Sequence, residues 1–154
     1  MDRQTVTVNG LDELRALTGR DLGTGEWLEI TQERVNTFAD ATGDHQWIHV
    51  DVERAAGGPF GGPIAHGYLT LSLVIPLFGT LLKVEGISMG INYGLDRVRF
   101  PSPVRVGSKV RLRATVVSVE DVQGGVQATY DFTVELDGSA KPACVARPVY
   151  RYYL

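Results

Sequence analysis

The sequence predicts a single α+β domain in which an antiparallel sheet covers one long apolar helix. The chain has 154 residues, about the size of one domain and enough for one sizeable core. Residues 67–82, GYLTLSLVIPLFGTLL, carry no charge, and after Lys83 the sequence changes to the period-two pattern of strands. Helices followed by a run of strands are typical of α+β domains.

Two amphipathic helices are predicted before the apolar one. In LDELRALTG, residues 11–19, leucines recur at helical spacing and Gly19 provides a stop. This short helix lies in residues 1–30, which we expect to form an N-terminal extension of one domain spanning residues 1–154. A second helix is predicted from Thr31, a suitable N-cap, to about Ala41, and Gly43 is expected to end it.

A glycine-rich segment leads into the apolar helix. Residues 57–67, GGPFGGPIAHG, hold five glycines and two prolines, which predicts a constrained loop. The apolar segment that follows has sixteen residues, including Pro76 and Gly79. A bilayer crossing needs roughly 20 apolar residues, so we expect no membrane span and a helix buried on all sides of a globular fold.

Four successive antiparallel strands are predicted after Lys83. The segments MGINYGLDRVRF, KVRLRATVVSVE, VQATYDFTVEL and ACVARPVYRYY are rich in Val, Thr, Tyr and Phe and are separated by turn residues. One sheet has a single inner face, whereas a helix that is apolar all round requires cover on every side. A second copy that extends or doubles the sheet would supply this cover, so we expect a homodimer.

Composition excludes several classes of function. Hydrophobic residues make up 44% of the chain and charged residues 21%, as in ordinary globular proteins. The formal net charge is -3 and no Lys/Arg run is present, so nucleic acid is not an expected partner. Cys144 is the single cysteine, which leaves no intrachain disulfide, and the amino terminus has no apolar secretory core. Both features favour a reducing compartment, the cytoplasm.

The segment TGDHQWIH, residues 42–49, holds the candidate acid–base groups. Asp44 and His49 are five positions apart, a spacing that separates side chains on a continuous helix or strand. They converge only if the chain turns, and Gly43 permits such a turn. A carboxylate and an imidazole that converge can hold one water molecule between them, as the hydration of a polarised double bond requires.

Such a reaction also needs a group that stabilises negative charge on the substrate carbonyl. Gly67 lies where the loop meets the apolar helix, so its backbone N–H is free and its missing Cβ lets a substrate approach. His66 either acts from the loop or fixes it by hydrogen bonding, and we favour the structural role. Taken singly, Asp44 is most simply a turn residue and His49 a packed histidine; their combination beside an anion site is what predicts catalysis.

A metal site is the competing interpretation of the histidines. His45 and His49 have the i, i+4 spacing of helical zinc ligands. However, HQWIH lacks the glutamate that the HExxH pattern has at its second position, Gly43 argues against a continuing helix, and no third ligand is obvious. We therefore expect no metal.

Three motifs resemble those of one known family. FADATGDHQWIH, residues 38–49, is similar to the hydratase motif of the MaoC-like (R)-specific enoyl-CoA hydratases and 3-hydroxyacyl-thioester dehydratases. PIAHGYLTLSL resembles the loop and central helix of that family, and RFPSPVRVGSKV resembles its later strand signature. The resemblance covers the chain from about residue 30 onwards. Gln46-Trp47 replaces the usual Asn-Pro, a variation associated with the branch similar to the nodulation protein NodN.

The resemblance implies a hot-dog fold, in which an antiparallel sheet wraps a long central helix, and assembly as a homodimer. It implies that Asp44 and His49 are catalytic and that Gly67 is the oxyanion donor. Further candidates for the substrate pocket are Trp47, His66, Tyr68 and Asn92. The implied substrate is a trans-2-enoyl thioester of coenzyme A or of a carrier protein, hydrated to the (R)-3-hydroxyacyl thioester. No cofactor is expected, because coenzyme A would be part of the substrate.

Two other functions remain open at this point. Hot-dog thioesterases commonly place an acidic residue on or near the central helix, and no Asp or Glu lies between Glu53 and Glu85, which counts against thioester hydrolysis. A non-catalytic acyl-thioester-binding module would keep the pocket without using the Asp44 and His49 pair. Thioester binding without turnover would identify such a module.

Overall fold

The computed structural model describes residues 5–154. In chain order its elements are β1 (Val6–Asn9), α1 (Leu11–Arg15), β2 (Asp21–Thr24), β3 (Leu28–Glu29), α2 (Gln32–Thr42), α3 (Trp47–Val50), α4 (Val52–Ala56), α5 (Gly67–Ser72), α6 (Val74–Gly79), β4 (Leu82–Glu85), β5 (Met89–Arg99), β6 (Lys109–Val122), β7 (Gly125–Leu136) and β8 (Cys144–Tyr153). The predicted α+β composition, with helices first and long strands last, is confirmed.

The main sheet has six strands, and its antiparallel order is β2-β6-β7-β8-β5, with β3 also paired to β6. All four predicted long strands are present. The expectation that they pair in succession is wrong for the first one, because β5 pairs with β8, where Met89 lies opposite Tyr153. The segment between β5 and β6, residues 100–108, contains Pro101 and Pro103 and crosses the end of the sheet instead of forming a tight hairpin.

The apolar helix predicted over residues 67–82 is two short helices, α5 and α6, that meet at Leu73. Hydrogen bonds from Leu73 N–H to Leu69 and from Leu77 N–H to Leu73 carry the helical path across the junction. Pro76 has no N–H to offer to the carbonyl of Ser72, which explains why the first helix ends there. Residues 82–85 form β4, so the predicted helix was also too long.

The central helices are not buried on all sides in the single chain. One side packs into the core through residues that include Leu69, Leu73 and Leu77. On the other side, the side chains of Tyr68 and Ile75 are 72% and 45% exposed. The cover that the sequence argument requires is therefore missing from this side of a single copy.

Residues 5–30 contribute to the core, and they contain the predicted short helix, α1. Leu11, Leu14 and Leu17 are all buried. In the same region β1 pairs in parallel with β4, while β2 and β3 pair with β6. No helix within residues 5–154 is long and apolar enough to cross a membrane.

Candidate active site

The glycine-rich loop is fixed against the segment that follows β5. Ala65 donates its N–H to the carbonyl oxygen of Val104 at 2.7 Å. Arg105 lies across the loop and donates from Nη2 to the carbonyl oxygen of Gly61 at 2.9 Å. A Cβ at position 62 would stand only 2.9 Å from this guanidinium, so a larger residue there would require the end of the Arg105 side chain to shift. These contacts confirm the constrained loop that the sequence predicts.

His49 lies on α3 and is buried, with 6% of its surface exposed. Its Nδ1 is 2.7 Å from the carbonyl oxygen of Ile64, and because a carbonyl only accepts hydrogen bonds, Nδ1 carries the proton when the ring is neutral. Nε2 is then the nitrogen with a free lone pair. The amide of Gln32 further fixes the residue by donating to the carbonyl oxygen of His49 at 2.8 Å.

The surroundings of His49 favour its neutral form. Burial is the largest influence and lowers the pKa of His49 from its ordinary value. The hydrogen bond to Ile64 acts in the opposite direction, the nearby His66 lowers the pKa further, and the carboxylate of Asp44 raises it. The net shift is downward, so the imidazole is neutral at neutral pH and can accept a proton through Nε2.

Asp44 lies in the turn between α2 and α3. Helix α2 begins at the predicted cap, where the Thr31 hydroxyl accepts from the Arg34 N–H, and it ends at Gly43, which has φ 78 in the left-handed region. The carbonyl oxygen of Asp44 accepts a hydrogen bond from Nε2 of His66 at 3.0 Å, while its carboxylate is exposed. Because the chain turns at Gly43, Asp44 and His49 bring side-chain ligand atoms within 4.8 Å of each other.

These two groups share one cleft with the start of α5. The cleft has a volume of about 500 Å³ and is open to solvent. Its walls combine the acid–base pair with aromatic rings, a composition suited to a ligand that has one reactive polar centre. The lining residues are Phe38, Thr42, Asp44, His49, His66, Gly67, Tyr68 and Phe100.

Gly67 is the first residue of α5, as the sequence analysis requires of an oxyanion donor. Its N–H has no hydrogen-bond partner within the described chain, as expected for the first turn of a helix. The ring of Phe100 lies against it, 3.4 Å from the position that a Cβ would occupy. One side of Gly67 is thus closed by an aromatic wall, and its backbone borders the cleft.

His66 is a third polar group in the cleft, one that the search for metal ligands in the sequence did not identify. Asp44, His49 and His66 offer ligand atoms within 4.8 Å of one another. Each histidine already uses one nitrogen to bond a backbone carbonyl, so a cation would have to reach Nδ1 of His66, which is buried between the rings of Phe38 and His49. His45, the other member of the i, i+4 pair, bonds the carboxylate of Asp40 at 2.8 Å instead.

Two of the four further pocket candidates, His66 and Tyr68, line the cleft. Trp47 does not line it and packs under the guanidinium of Arg54, 4.2 Å from the ring centroid. Asn92 lies on β5 beside a second cavity of about 250 Å³, between that strand and the exposed side of α5 and α6. The residues lining this second cavity are Leu71, Ser72, Val74, Ile75, Asn92, Gly94, Leu95 and Tyr150.

The residues that shape the cleft but take no part in proton transfer were not identified from the sequence. Phe38 and Phe100 lie within the quoted motifs, but an apolar side chain carries no chemical signal. Gln32 gave no signal either, because its bond to His49 spans 17 positions. Cys144 is buried as a packing residue, and burial raises the pKa of its thiol to about 11, which leaves it unreactive at neutral pH.

The sequence of this chain is similar to a known family and to individual known proteins. A family model described as MaoC like domain matches residues 13–136. A protein of Mycobacterium tuberculosis named 3-hydroxyacyl-thioester dehydratase Z is 56% identical over 147 residues, which cover 95% of this chain and 97% of that protein. Nodulation protein N of Rhizobium meliloti is 48% identical over 139 residues, which cover 88% of this chain and 86% of that protein.

A solved structure shows the same likeness in three dimensions. The (R)-hydratase from A. caviae involved in PHA biosynthesis superposes with a TM-score of 0.71 at 26% identity. The match covers 86% of this chain and 94% of that chain. The hot-dog fold that the resemblance implies is thereby confirmed.

Proposed function

This chain belongs to the MaoC-like domain family, as its motifs predict, and from that premise we propose that it reversibly hydrates trans-2-enoyl thioesters to (R)-3-hydroxyacyl thioesters. In the opposite direction the enzyme is a 3-hydroxyacyl-thioester dehydratase, the activity for which its 56% identical relative is named. The observation that carries the proposal is the convergence of the Asp44 carboxylate and the neutral His49 imidazole in one cleft with the backbone of Gly67.

The pair handles a single water molecule in this mechanism. Nε2 of His49 and the carboxylate of Asp44 both accept hydrogen bonds from the water, which is held with its oxygen towards C3 of the enoyl group. As the oxygen bonds to C3, the pair takes one proton from the water, and it returns a proton to C2 when the resulting enolate collapses. The hydroxyl and the hydrogen added to the substrate together account for one water.

Gly67 stabilises the charge that this addition creates. Attack at C3 moves negative charge to the thioester oxygen, and a backbone N–H at the start of a helix meets such an oxygen with a partial positive charge. Its N–H is available because no carbonyl within residues 5–154 accepts it. Phe100, packed against Gly67, and Tyr68 at the rim exclude water from one side of this position.

The acyl chain is assigned to the second cavity. This cavity lies along the exposed side of α5 and α6, and it is lined mainly by apolar side chains, with Ser72, Asn92 and the hydroxyl-bearing Tyr150 as its polar members. Because α5 borders both cavities, a thioester held at Gly67 can extend its chain along the helix. Asn92 then keeps the substrate-pocket role expected of it, on the acyl side and away from the reacting carbons.

The two alternative functions are less well supported. Thioester hydrolysis would use an acidic residue near the central helix, and α5 and α6 carry none. A binding module without turnover would have no use for the arrangement of His49, in which a carbonyl fixes the tautomer so that Nε2 stays unprotonated. Proton transfer makes use of that tautomer, so catalysis is favoured.

The substrate brings its own carrier, and we propose no resident cofactor or metal. The coenzyme A or acyl-carrier portion of the thioester extends out of the open cleft into solvent. Every step assigned above uses only Asp44, His49, the Gly67 N–H and water. A single cysteine fits the reducing cytoplasm, where we propose that the enzyme acts.

We also propose that the active form is a homodimer. The outer edge of β5 is unpaired among the described strands, and its apolar residues Met89, Ile91, Tyr93 and Leu95 are exposed. An edge strand that pairs antiparallel with its own copy obeys two-fold symmetry and extends the sheet. The same contact would cover Ile75 and close the second cavity, which supplies the cover missing from the central helices.

The test is the loss of the conjugated enoyl absorbance when the purified protein meets crotonyl-CoA and longer trans-2-enoyl-CoAs. We expect rapid loss and chirally pure (R) product with the wild type. Asp44→Asn and His49→Ala should each lower kcat/KM by about 10²-fold or more, because each removes a proton-transfer partner. Asp40→Asn, an exposed aspartate outside the cleft, is the matched control and should retain the wild-type rate.

Other outcomes identify the alternatives. If saturated acyl-CoAs release free thiol while the enoyl substrates stay intact, the enzyme is a thioesterase. If thioesters bind but none reacts, the protein is an acyl-binding module. If dialysis against a strong chelator removes the activity and zinc restores it, the proposal of a metal-free site is wrong.

A further inference from the structure

His66 contacts every part of the proposed catalytic arrangement, although no step assigned so far requires it. We propose that His66 is a positioning residue for this reaction, which holds the backbone of Asp44 and the ring of His49 in register with Gly67. The inference rests on the proposed hydratase function, because it assigns a role within that same site. Three contacts and one unpaired atom carry it.

The first contact fixes the turn that bears Asp44. Nε2 of His66 donates to the carbonyl oxygen of Asp44 at 3.0 Å, across 22 positions of the chain. The other hydrogen bonds of Asp44 are longer: its N–H is 3.4 Å from the Thr42 hydroxyl, and the Gln46 N–H is 3.4 Å from Asp44 Oδ1. The bond from His66 is therefore the strongest side-chain tie between Asp44 and the rest of the site.

The second contact fixes the ring of His49. The two imidazoles stack with their centroids 3.8 Å apart and an angle of 25° between their planes. The ring of Phe38 packs against His66 from a further direction, with a centroid distance of 4.8 Å. His66 therefore keeps water from the face of His49 that it covers.

The third contact links the pair to the oxyanion donor. His66 is the N-cap of α5, and its carbonyl oxygen accepts from Leu69 at 3.0 Å and Thr70 at 3.1 Å. Gly67 is the next residue, so its N–H has a fixed relation to the His66 backbone. One residue thus connects the backbone of Asp44, the imidazole of His49 and the oxyanion donor.

The unpaired atom distinguishes this role from simple packing. His66 is only 3% exposed, and its Nδ1 is buried without a hydrogen-bond partner among residues 5–154. Buried polar atoms are nearly always paired, so a residue that served only to fill this space would be better as an apolar ring. A phenylalanine would fill the space and stack on His49, but it could not donate to the carbonyl of Asp44. The hydrogen bond that His66 donates to Asp44 therefore explains why this position holds a histidine.

The influence of His66 on the pKa of His49 can be separated from that of the other groups around the imidazole. The titratable groups that face this imidazole are His66, stacked on it, and Asp44, across the cleft, with Tyr68 on the rim. Burial and His66 both lower the pKa of His49, whereas Asp44 and the bond to Ile64 raise it. Replacing the imidazole of His66 takes away its electrostatic influence, and losing the stacked ring also admits water, so His49 should titrate at higher pH.

Two variants separate the hydrogen-bonding role of His66 from its stacking role. His66→Phe keeps an aromatic ring against His49 and loses the donor, whereas His66→Gln keeps an N–H donor at similar reach and loses the ring. His45→Gln is the matched control, because His45 is an exposed histidine that pairs with Asp40 outside the cleft. The measurements are kcat and KM for crotonyl-CoA as functions of pH, and the titration of each imidazole by NMR in protein labelled at histidine. The chain has three histidines, so the variants themselves assign the signals.

The expected results differ between the variants. His66→Phe should lower kcat about tenfold with little change in KM, and the His49 midpoint should move slightly to higher pH, because Phe keeps the cover but not the electrostatic influence of His66. His66→Gln should retain more of kcat, but the His49 midpoint and the acidic limb of kcat/KM should both move further to higher pH, because the cover is lost as well. His45→Gln should change neither kcat nor the titration of His49.

The proposal is overturned if both His66 variants fold, as judged by circular dichroism and thermal midpoint, and keep the wild-type kcat and His49 titration. It is also overturned if both lose activity only in proportion to lost folded protein. The NMR titration needs no turnover, so it tests the coupling of His66 to His49 even if the wild type hydrates no enoyl thioester. A wild type that hydrates no enoyl thioester would refute the proposed function, and it would leave the NMR result on His66 and His49 unaffected.

Discussion

Strands β7 and β5 flank the same neighbour, β8, yet their side chains meet different surroundings. Along β7 buried residues alternate with half-buried or exposed ones, and Val126, Ala128, Tyr130, Phe132 and Val134 all face the core. Along β5 every residue is exposed except Val98, including residues on both faces. The β7 side of the molecule is complete in one copy, while the β5 side has apolar surface but no cover.

The cleft lies at the incomplete side. Phe100 follows β5 directly, and Tyr68 projects from the exposed side of α5. The complete side provides the packing that holds α5 and the loops, whereas the incomplete side provides openings for a substrate and a second copy. Stability and function should therefore respond to substitutions in different places.

The largest effect on stability is expected on the complete side. Phe132 is 2% exposed, and its ring centroid lies 4.8 Å from that of Phe78. Phe132→Ala leaves a cavity and should lower the free energy of unfolding by about 3–5 kcal/mol, measured by urea denaturation. Thr133→Ala, on the other face of β7, should cost less than about 1 kcal/mol. Equal effects would show that the core side of β7 is not what stabilises the fold.

The next effect concerns assembly at β5. Ile91→Asp places a carboxylate on the exposed apolar strand, and in a two-fold dimer both copies carry it. We expect the dissociation constant of the dimer to rise about 10²-fold, or about 2.7 kcal/mol, measured by analytical ultracentrifugation. Gln123→Asp adds the same charge at the exposed turn between β6 and β7 and should leave assembly unchanged. A wild type that is monomeric at every concentration would refute the proposed interface.

A smaller effect is expected at Gly67, where a substitution should lower activity and leave stability nearly unchanged. A Cβ there would stand 3.4 Å from the ring of Phe100, an ordinary contact, and the backbone is not in the left-handed region. Gly67→Ala should change the free energy of unfolding by less than about 1 kcal/mol, yet lower kcat/KM about tenfold, because the methyl group crowds the oxyanion position. Gly57→Ala, at the exposed end of α4, should alter neither quantity. Full activity in Gly67→Ala would remove Gly67 from the mechanism.

The smallest effect is the pH dependence of stability contributed by His49. Its folded pKa is lowered, mainly by burial, so below the ordinary value the unfolded chain binds a proton that the folded chain does not. Stability should therefore fall as the pH is lowered from about 7.5 to about 5.5, through the ordinary histidine pKa of about 6.5. His49→Gln should reduce this slope in urea denaturation curves. A slope that is unchanged in the variant would mean that His49 is not the group responsible.

His45 provides the opposite case four positions away. The hydrogen bond that His45 donates to the Asp40 carboxylate raises the pKa of His45, so its contribution is present below the ordinary histidine pKa and is lost as the pH rises through the raised value. His45→Gln should therefore steepen the loss of stability on acidification. The two histidines of one short segment are distinguished by burial and partners, which the sequence does not display.

Much of the fold could be predicted from local pattern. The long strands, the helix capped by Thr31 and ended by Gly43, and the constrained loop at residues 57–67 each depend on spacing and turn chemistry within a few residues. The pairing of β5 with β8 could not be predicted this way, because it depends on where residues 100–108 cross the sheet. The break at Leu73 had a local signal in Pro76, and the apolar character of the segment outweighed it.

The candidate site shows the same difference between features that follow from local sequence and features that depend on tertiary contacts. The sequence by itself determined which groups are present: Asp44 and His49 beside a turn, and Gly67 where a loop meets a helix, in motifs similar to those of one family. Only the tertiary structure decided the proton position on His49, the bond from His66 to Asp44, and the placement of Trp47 outside the cleft. Turns and caps depend on neighbours in the chain, whereas burial and the partners of a buried imidazole depend on residues 15 to 22 positions away, which only folding brings together.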